Sequence, residues 1–442
     1  MKSKVFDIWY RLSSSLWFVP SLMVALSIGL WYGMGRLDAY LIEQSFSLGW
    51  IFSSGVEGTR SILSTIAGSI ITVAGVVFSI TIVVLSQLAG QFGPQLVKSF
   101  MQDKSTQIAL GIFSATFIYS LLALSSVRNT NGDSPSQAAT ALALLLALAS
   151  IGVLIRFIHG MARSVESNRI IAAVVKEMNA SLDRVFPSGP PKGPLGRDMA
   201  MDTALDNIDT VGCAVIASKS GFLQAVDLGR LVRIAEESDV VINVRFSPGE
   251  FIPWKAELVS LWPAECADEN LSVKIRRAFV IGDERTTEQD IELSIERLSM
   301  IAARALSPSI NDTYTAVICL RWLGVMLCQI AERSFLEPYH YDKEKRLRII
   351  TRPVRFSAFV SAAFDEIRHS AGSPEVFVGL LENIDTVSRF IKSPEDRDNL
   401  VRHARDIEFY SRRKLSGGDL QKVENKCRHT LHKLAAVQLE KQ

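Results

Sequence analysis

The chain has 442 residues, of which 48% are hydrophobic, and a formal net charge of +2. A mean hydropathy of +0.20 is too high for a typical soluble protein of this length, and the apolar residues concentrate before residue 160. Because so small a net charge gives the chain no overall basic field, the composition does not support nucleic acid as a partner.

Four uncharged segments before residue 160 are long enough to cross a bilayer as helices, and they cover residues 16–34, 62–89, 108–127 and 138–155. The first has Trp17 and Trp31 near its ends, as interfacial aromatic residues do, and it lacks a small-residue cleavage site. We therefore expect it to be retained. The second lies in a stretch without ionisable side chains between Arg60 and Lys98, so Gln91–Val97 is expected at the interface.

The lysines and arginines beside these segments predict the orientation of the chain, because cationic loops stay on the cytoplasmic side. One side has only Arg36, Arg60 and Arg128. The other side collects Lys2, Lys4, Arg11, Lys98, Lys104, Arg156, Arg163, Arg169 and Lys176. We therefore expect a location in the inner membrane, with both termini and the large C-terminal half in the cytoplasm.

Small and hydroxyl residues recur on one face of the second segment, and we call this set the small-residue stripe. Its members are Ser61, Thr65, Gly68, Thr72, Gly75, Ser79 and Ser86, at spacings of three or four residues with one gap at Ile82. The stripe predicts either close helix packing in lipid or the lining of a central path in a homo-oligomer. Because the segment carries no charge, an ion-coupled carrier is disfavoured.

The transmembrane domain is predicted to cover residues 1–186 and to end in a helical extension. Apolar residues continue at helical spacing after the fourth segment, which predicts a helix with one apolar face. That face packs on the soluble half of the chain or forms a short stalk between subunits. Its residues are Ile171, Val175, Met178, Leu182 and Val185, and the Pro- and Gly-rich residues 187–197 then indicate a linker.

Residues 198–336 are predicted to form a soluble α+β region, and residues 337–442 a mainly helical one. VGCAVIAS, VVINVRF and IPWKAELVSLW are typical of strands, and VDLGRLVRIAEES is typical of a helix. Helix breaks are expected where a proline follows Ser307, Glu337, Ser373 or Ser393. The five cysteines form no C-x-x-C pair, so neither a zinc site nor a disulfide framework is indicated, and a reducing compartment fits. They are Cys213, Cys266, Cys319, Cys328 and Cys427.

Two segments carry a resemblance to a known family. They are RSILSTIAGSIITVAGVVFSITIVVLSQLAGQFGPQLVKSFMQD at residues 60–103 and FVIGDERTTEQDIELSIERLSMIAARALSPSINDTYTAV at residues 279–317. The chain resembles the predicted bacterial membrane proteins grouped as domain of unknown function 2254. This resemblance implies four N-terminal spans and a soluble C-terminal half, but no reaction or ligand. The sequence departs from the family pattern at Thr313, where proline is usual, and at Met300, where an acid is common.

The second of these segments contains the strongest candidate for a polar site. GDERTTEQD predicts a turn followed by a helix that is capped by Thr286 or Thr287, and LSPSIND predicts a stop followed by a new helix capped by Asn311 or Asp312. The first helix is expected to bury Ile291, Ile295, Leu298, Ala302 and Ala305. The charged residues either serve as caps or form a site made of Asp283, Glu284, Arg285, Arg304, Asn311 and Asp312.

The chain lacks the common nucleotide-binding, nucleophile-elbow and zinc-hydrolase motifs, so we expect no enzyme and no cofactor. Cys427, His429 and His432 form a C-x-H-x-x-H cluster, but the surrounding lysines and arginines oppose a cation, so no metal is expected. The basic run LRIITRPVR, residues 347–355, is expected to be a solvated strand, or else to face lipid head groups or an anionic partner.

The sequence as a whole predicts an α-helical membrane protein with a four-span N-terminal transmembrane helical domain and a cytoplasmic α+β domain. Its expected partners are the lipid bilayer and further copies of itself. The expected function is a channel-like or membrane-state-responsive assembly with a cytoplasmic regulatory domain. The alternative is a membrane-anchored sensor or scaffold whose cytoplasmic domain binds a small molecule or a protein near residues 282–312.

Overall fold

A computed structural model describes residues 17–43, 56–92, 104–127, 137–164, 167–186, 212–264, 268–333 and 338–436. The predicted linker 187–197, residues 93–97 of the predicted interfacial segment and Cys266 lie outside the described residues. The chain divides into two compact units, residues 1–166 and residues 167–442.

The first unit contains four long apolar helices that overlap the four apolar segments predicted from the sequence. They are α1 (Phe18–Glu43), α2 (Val56–Phe92), α3 (Lys104–Ser126) and α4 (Gln137–Ser164). No proline interrupts α2, whose 37 residues give it a length of about 55 Å at the α-helical rise. These four helices are long and apolar enough to cross a membrane.

Helix α3 lies at the centre of the first unit, in contact with α1, α2 and α4. A Cβ at Gly111 would collide with the side chain of Met23, so glycine allows the close approach of α1 and α3. The phenol of Tyr119 donates a hydrogen bond to the carbonyl of Ala139 at 3.1 Å, which satisfies a fully buried hydroxyl between α3 and α4.

The second unit begins with a helix, α5 (Ser167–Val185), and contains two sheets. The five-stranded sheet has the order β1-β5-β3-β8-β7, with only β3 and β8 parallel, and the three-stranded sheet has the order β4-β2-β6. The strands are β1 (Cys213–Ile216), β2 (Gly221–Val226), β3 (Val241–Val244), β4 (Phe251–Ile252), β5 (Glu257–Trp262), β6 (Phe279–Gly282), β7 (Tyr339–Tyr341) and β8 (Leu347–Ile350).

The helices α6 (Leu228–Ser238) and α7 (Glu269–Arg276) belong to the same part of the second unit as the sheets. Their side chains Leu231 and Ile275 share one buried cluster with Val259 of β5 and Ile242 of β3. This α+β core confirms the α+β composition predicted for the soluble half.

The remaining helices of the second unit form a layer in which neighbours in space are often distant in sequence. They are α8 (Ile291–Ala305), α9 (Thr313–Glu332), α10 (Phe356–Ser370), α11 (Pro374–Val387), α12 (Pro394–Lys414) and α13 (Gly417–Ala436). Helix α8 contacts α5, α9 and α10, and α9 also contacts α11. Helix α9 is a fifth helix that is long and apolar enough to cross a membrane.

The starts of α9, α11 and α12 agree with the sequence prediction, and the cap of α8 does not. Asp312 caps α9, and α11 and α12 begin at Pro374 and Pro394, as predicted. The apolar face predicted for α8 is buried, as expected. The cap of α8 is Asp290, not Thr286 or Thr287, because its carboxylate accepts the hydrogen bond from the amide of Leu293.

Helix α5 lies in the second unit, whereas the sequence prediction placed its residues in the transmembrane domain. Its apolar face packs on the same unit, since Ile171, Met178 and Leu182 are buried and α5 contacts α8 and α9. The boundary predicted between residues 336 and 337 separates β7 and β8 from the other three strands of their sheet.

Candidate functional site

The small-residue stripe faces outward from the first unit. All seven of its members are exposed, and beyond the backbone of α2 itself and the adjacent residues, no atom lies within 4 Å of where a Cβ would stand on Gly68 or Gly75. The members are Ser61, Thr65, Gly68, Thr72, Gly75, Ser79 and Ser86. Within the described part of the protomer, the stripe therefore does not serve as a contact surface between spans.

The opposite face of α2 supplies the contacts with the rest of the unit. Leu63, Ile70 and Val77 are buried and belong to the apolar core shared with α3 and α4. On the stripe, the hydroxyl of Thr65 donates to the carbonyl of Ser61 at 2.8 Å, and that of Thr72 donates to Gly68 at 2.9 Å. These hydroxyl protons are satisfied by the helix itself, and the exposed hydroxyl oxygens can still accept hydrogen bonds.

A cleft of about 440 Å³ in the second unit is the strongest candidate for a ligand site there. Four separate segments form it, at residues 185–186, 247–250, 285–296 and 353–359. They bring the end of α5, the turn before β4, the start of α8 and the start of α10 into one wall. The cleft lies partly within residues 282–312, where the sequence predicted a pocket.

Arg285 is the central cation of the cleft and holds two carboxylates. Its Nε donates to Oδ2 of Asp290 at 2.7 Å, and its Nη1 donates to Oε2 of Glu296 at 2.6 Å. Asp290 is buried and also caps α8, so one carboxylate both starts the helix and orients the guanidinium. Burial lowers the pKa of Arg285, but the carboxylates of Asp290 and Glu296 outweigh this effect, so the pKa is raised overall.

Two glutamates on α8 carry the remaining acidic character. Burial raises the pKa of Glu292 above its usual value, and the nearby Glu296 and Asp290 carboxylates raise it further. Burial also raises the pKa of Glu296, although Arg285 opposes that shift. The cleft therefore combines a fixed cation with carboxylates that take up protons more readily than exposed ones.

The turn before β4 closes another side of the cleft. Gly249 has a φ of +96°, and a side chain there would collide with the carboxylate of Asp290, so only glycine fits. Glu250 accepts a hydrogen bond from the amide of Ser247 at 2.8 Å and another from Arg352 at 2.8 Å. The second contact connects the turn to the chain that follows β8.

The structure brings only one of the six predicted polar-site residues into the cleft. Arg285 lines it, whereas Asp283 and Glu284 are exposed beside β6. Asn311, with a φ of +50°, and the capping Asp312 follow the other end of α8, whose 15 residues span about 22 Å. Arg304 lies in the last turn of α8. Arg285 has acidic partners in Asp290 and Glu296, so it does not depend on an acid at position 300.

Sequence reasoning did not single out Asp290, Glu292 and Glu296 as site residues. Their signal was present: an acid at the cap followed by two glutamates four residues apart places three carboxylates at the start of one helix. Glu250 could not have been found in this way, because it reaches the cleft from a turn that precedes Arg285 by 35 positions in the sequence.

The C-x-H-x-x-H cluster does not converge on a point. Cys427 is buried, and its thiol donates to the carbonyl of Ala404 at 3.4 Å, while His429 and His432 are exposed. Burial raises the pKa of Cys427 to about 12, and Glu408 raises it as well. Across the described ranges, no group of three or more histidine, cysteine or acidic side chains is placed to hold a metal ion.

Comparisons with known proteins give a family and several relatives, of which two are named. The family model described as "Predicted membrane protein (DUF2254)" matches residues 13–386. An uncharacterised protein of Mycobacterium tuberculosis is 26% identical over 401 residues, which is 87% of this chain and 74% of the relative. An uncharacterised protein of Mycobacterium bovis shows the same identity and coverage. No solved structure matches the chain.

Proposed function

Because the chain belongs to the DUF2254 family of predicted membrane proteins, we propose that it is a multi-pass protein of the bacterial inner membrane that assembles as a homo-oligomer. The assembly is channel-like or responsive to the state of the membrane, and the second unit is its cytoplasmic regulatory part. The observation that supports this proposal best is the outward direction of the small-residue stripe on α2.

Helices α1 to α4 are the spans in this proposal, and α9 is not. In the most apolar part of α9, 56% of the residues are buried within the protein, against at most 44% in the other four helices. Arg321 lies near the middle of α9, where a charge at the centre of a bilayer costs about 2.5–3.5 kcal/mol. We therefore assign α9 to the core of the second unit.

The orientation in this proposal follows from the distribution of cations beside the four helices. Arg156 and Arg163 lie in the second half of α4 and precede the second unit in the chain, so that unit is cytoplasmic. A phosphatase reporter that is active only outside the cytoplasm tests this orientation. Fused after residue 436, it should be inactive, and an active fusion would contradict the cytoplasmic placement.

Assembly through the stripe has a physical basis in the behaviour of helices in lipid. Apolar side chains gain little from leaving lipid for protein, so helices associate where small residues let their backbones approach closely. Large apolar residues on α2 that flank the stripe, such as Val76, Phe78 and Val83, are suited to lipid. Gly68 and Gly75 instead leave the backbone open, which suits a second copy of α2 or a central path.

Conductance measurements test the channel-like part of the proposal. The purified protein in liposomes should pass ions under a voltage, a membrane tension or an ionic gradient. Gly75→Leu should reduce that conductance, because the leucine side chain would fill the stripe. Ile80→Leu, which adds no bulk and lies away from the stripe on α2, should leave the conductance unchanged. If the protein never conducts under any of these conditions, the channel-like function is excluded and only the homo-oligomeric assembly remains proposed.

The cleft favours a second candidate function, a membrane-anchored sensor or scaffold. A cleft with one oriented cation and several half-buried carboxylates can hold a small polar molecule that carries both a positive and a negative group. A thermal-shift screen of the full-length protein in detergent should then find a specific stabiliser. Glu292→Gln should remove that stabilisation, while Glu288→Gln, at an exposed position before α8, should retain it.

A further inference from the structure

A second pocket in the second unit, which we call the basic pocket, shares Val354 and Arg355 with the cleft. It has a volume of about 330 Å³ and is formed by the end of α9, the start of α10 and the start of α12. Three cations line it, against two carboxylates. The cations are Arg333, Arg355 and Lys392, and the carboxylates are those of Glu395 and Asp396.

Two of these cations have no tight carboxylate partner among the described residues. The guanidinium of Arg355 is 3.9 Å from Glu395, and both side chains are more than two-thirds exposed, so solvent weakens the pair. The ammonium of Lys392 donates to the carbonyl of Glu332 at 2.5 Å, which is a neutral acceptor. Neither Arg355 nor Lys392 is therefore held in a close ion pair, so both can pair with an anion that enters the pocket.

The helix starts on the two sides of the pocket differ in capping. On α12, the hydroxyl of Ser393 accepts the amide hydrogen bond of Asp396 at 3.1 Å. On α10, the cap position is Arg355, whose side chain makes no capping hydrogen bond because a guanidinium has no acceptor. The start of α10 thus has no side-chain cap, and its helix dipole adds to the attraction that the three cations exert on an anion.

We propose that the basic pocket binds a phosphate group, carried either by a soluble anion or by a lipid head group. Guanidinium groups bind phosphate oxygens in pairs of parallel hydrogen bonds, and an ammonium adds a point charge. Arg333, Arg355 and Lys392 supply two guanidinium groups and one ammonium around a volume suited to a small anion. The hydroxyl of Ser357 provides a further hydrogen-bonding group in the same wall.

Arg333 connects the basic pocket to the end of α5. Its guanidinium donates to the carbonyls of Leu182, at 3.3 Å, and Phe186, and to the carboxylate of Asp183 at 2.6 Å. The carbonyl of Leu182 also accepts the amide hydrogen bond of Phe186 at 2.8 Å, so the guanidinium adds a second donor there and reaches the carbonyl of Phe186 just beyond the helix end. A bound phosphate shares this guanidinium with α5, so occupancy alters how firmly the end of α5 is held.

Titration of the full-length protein in detergent with inorganic phosphate, followed by calorimetry, tests the site. Binding should be saturable, and Arg355→Gln should weaken it at least tenfold. Arg352→Gln is the matched control, because Arg352 bonds to Glu250 at 2.8 Å and does not line the pocket, and it should change the affinity less than twofold. Lys392→Gln should also weaken binding, which provides a second variant if Arg355→Gln fails to fold.

Glu395→Gln should strengthen phosphate binding, whereas a misfolded variant would only weaken it. Removing this largely exposed carboxylate from the wall should raise the phosphate affinity, on the order of fivefold. Hydrogen exchange provides a further readout, because phosphate should change the protection of amides near Phe186 in the wild type and not in Arg355→Gln.

Nanodiscs distinguish the two sources of the phosphate group. If lipid head groups fill the pocket, phosphatidylglycerol should lower the apparent affinity for inorganic phosphate relative to phosphatidylcholine alone, and Arg355→Gln should abolish that difference. If a soluble anion is the occupant, the affinity should be the same in both discs. The absence of saturable phosphate binding in detergent and in both discs, or an equal loss in Arg352→Gln and Arg355→Gln, would overturn the proposal.

Discussion

Glu177 of α5 accepts hydrogen bonds through both carboxylate oxygens from Nη1 of Arg297 on α8, at 3.3 and 3.2 Å. The two residues are 120 positions apart in the chain. Glu177 also accepts a hydrogen bond from the hydroxyl of Thr287, just before α8. One carboxylate therefore joins the helix at the start of the second unit to the segment that carries the cleft.

This contact predicts that α5 stabilises the second unit. Glu177→Gln should lower the free energy of unfolding by about 1–3 kcal/mol, because it leaves the charge of the largely buried Arg297 without its carboxylate. Thermal unfolding in detergent measures the loss. Lys176→Gln, at the exposed neighbouring position, should change the stability by no more than about 0.5 kcal/mol. Equal stabilities for the two variants would show that α5 is not held by this contact.

The carboxylate of Asp342 predicts an acid-dependent stability of the loop between β7 and β8. Burial raises its pKa, but hydrogen bonds from the amide of Arg346 and the guanidinium groups of Arg348 and Arg346 lower it to about 2. Since the folded pKa lies below the ordinary value, the contribution is complete above about pH 4 and is lost as the pH falls towards 2.

Asp342→Asn should therefore destabilise the protein at neutral pH, and the difference from the wild type should shrink between about pH 4 and pH 2. Unfolding followed across this pH range measures the effect. Glu344→Gln provides the control, because Glu344 is largely exposed and pairs with the half-exposed Arg346, so its effect should be small at every pH. A difference for Asp342→Asn that persists unchanged at pH 2 would contradict the assignment.

Gly324 predicts a steric limit on the contact between α9 and α11. A Cβ at this position would overlap the side-chain amide of Asn383, which donates to the carbonyl of Leu320 at 2.8 Å. Gly324→Ala should therefore destabilise the protein by about 1–3 kcal/mol, although alanine favours a helix. Gly372→Ala is the control, because nothing lies within 4 Å of its Cβ position. Its thermal unfolding should match or slightly exceed that of the wild type.

The sequence predicted the features that depend on local physics. Uncharged runs marked α1 to α4, and prolines marked the starts of α11 and α12, because bilayer length and the missing proline amide act within one segment. The cap at Asp312 follows from the same local chemistry. Thr286, Thr287 and Asp290 could each cap α8, because threonine and aspartate are both capping residues, and only the folded backbone decides which one does.

The rest depends on contacts between distant segments. Arg348, in the basic run predicted to face solvent, lipid head groups or an anionic partner, is buried in β8 and bonded to Asp342 and Asp239. The spacing of Asp342 and Arg348 is short, but Asp239 lies 109 positions from Arg348. The cleft is likewise built from four segments, and the spacing of residues within one segment contains no information about the other three.

The small-residue stripe could be recognised from its spacing, but its direction could not. A face of glycine and hydroxyl residues suits packing within a protomer as well as packing between protomers. Large residues of α2, such as Leu63 and Val77, occupy the interior of the first unit and leave the stripe outside. The stripe faces outward because α3 and α4 pack their apolar side chains against the large residues of α2 and not against the stripe.

Cysteine cross-linking in native membranes tests the central claim, that the stripe of α2 faces protein or a solvent path in an assembly. Gly75→Cys, in a chain without its other cysteines, should form a disulfide-linked dimer under mild oxidation. Ile80→Cys, about 140° away around the helix, should stay monomeric. A Gly75→Cys protein that stays monomeric and reacts only with probes dissolved in the acyl chains would contradict the claim.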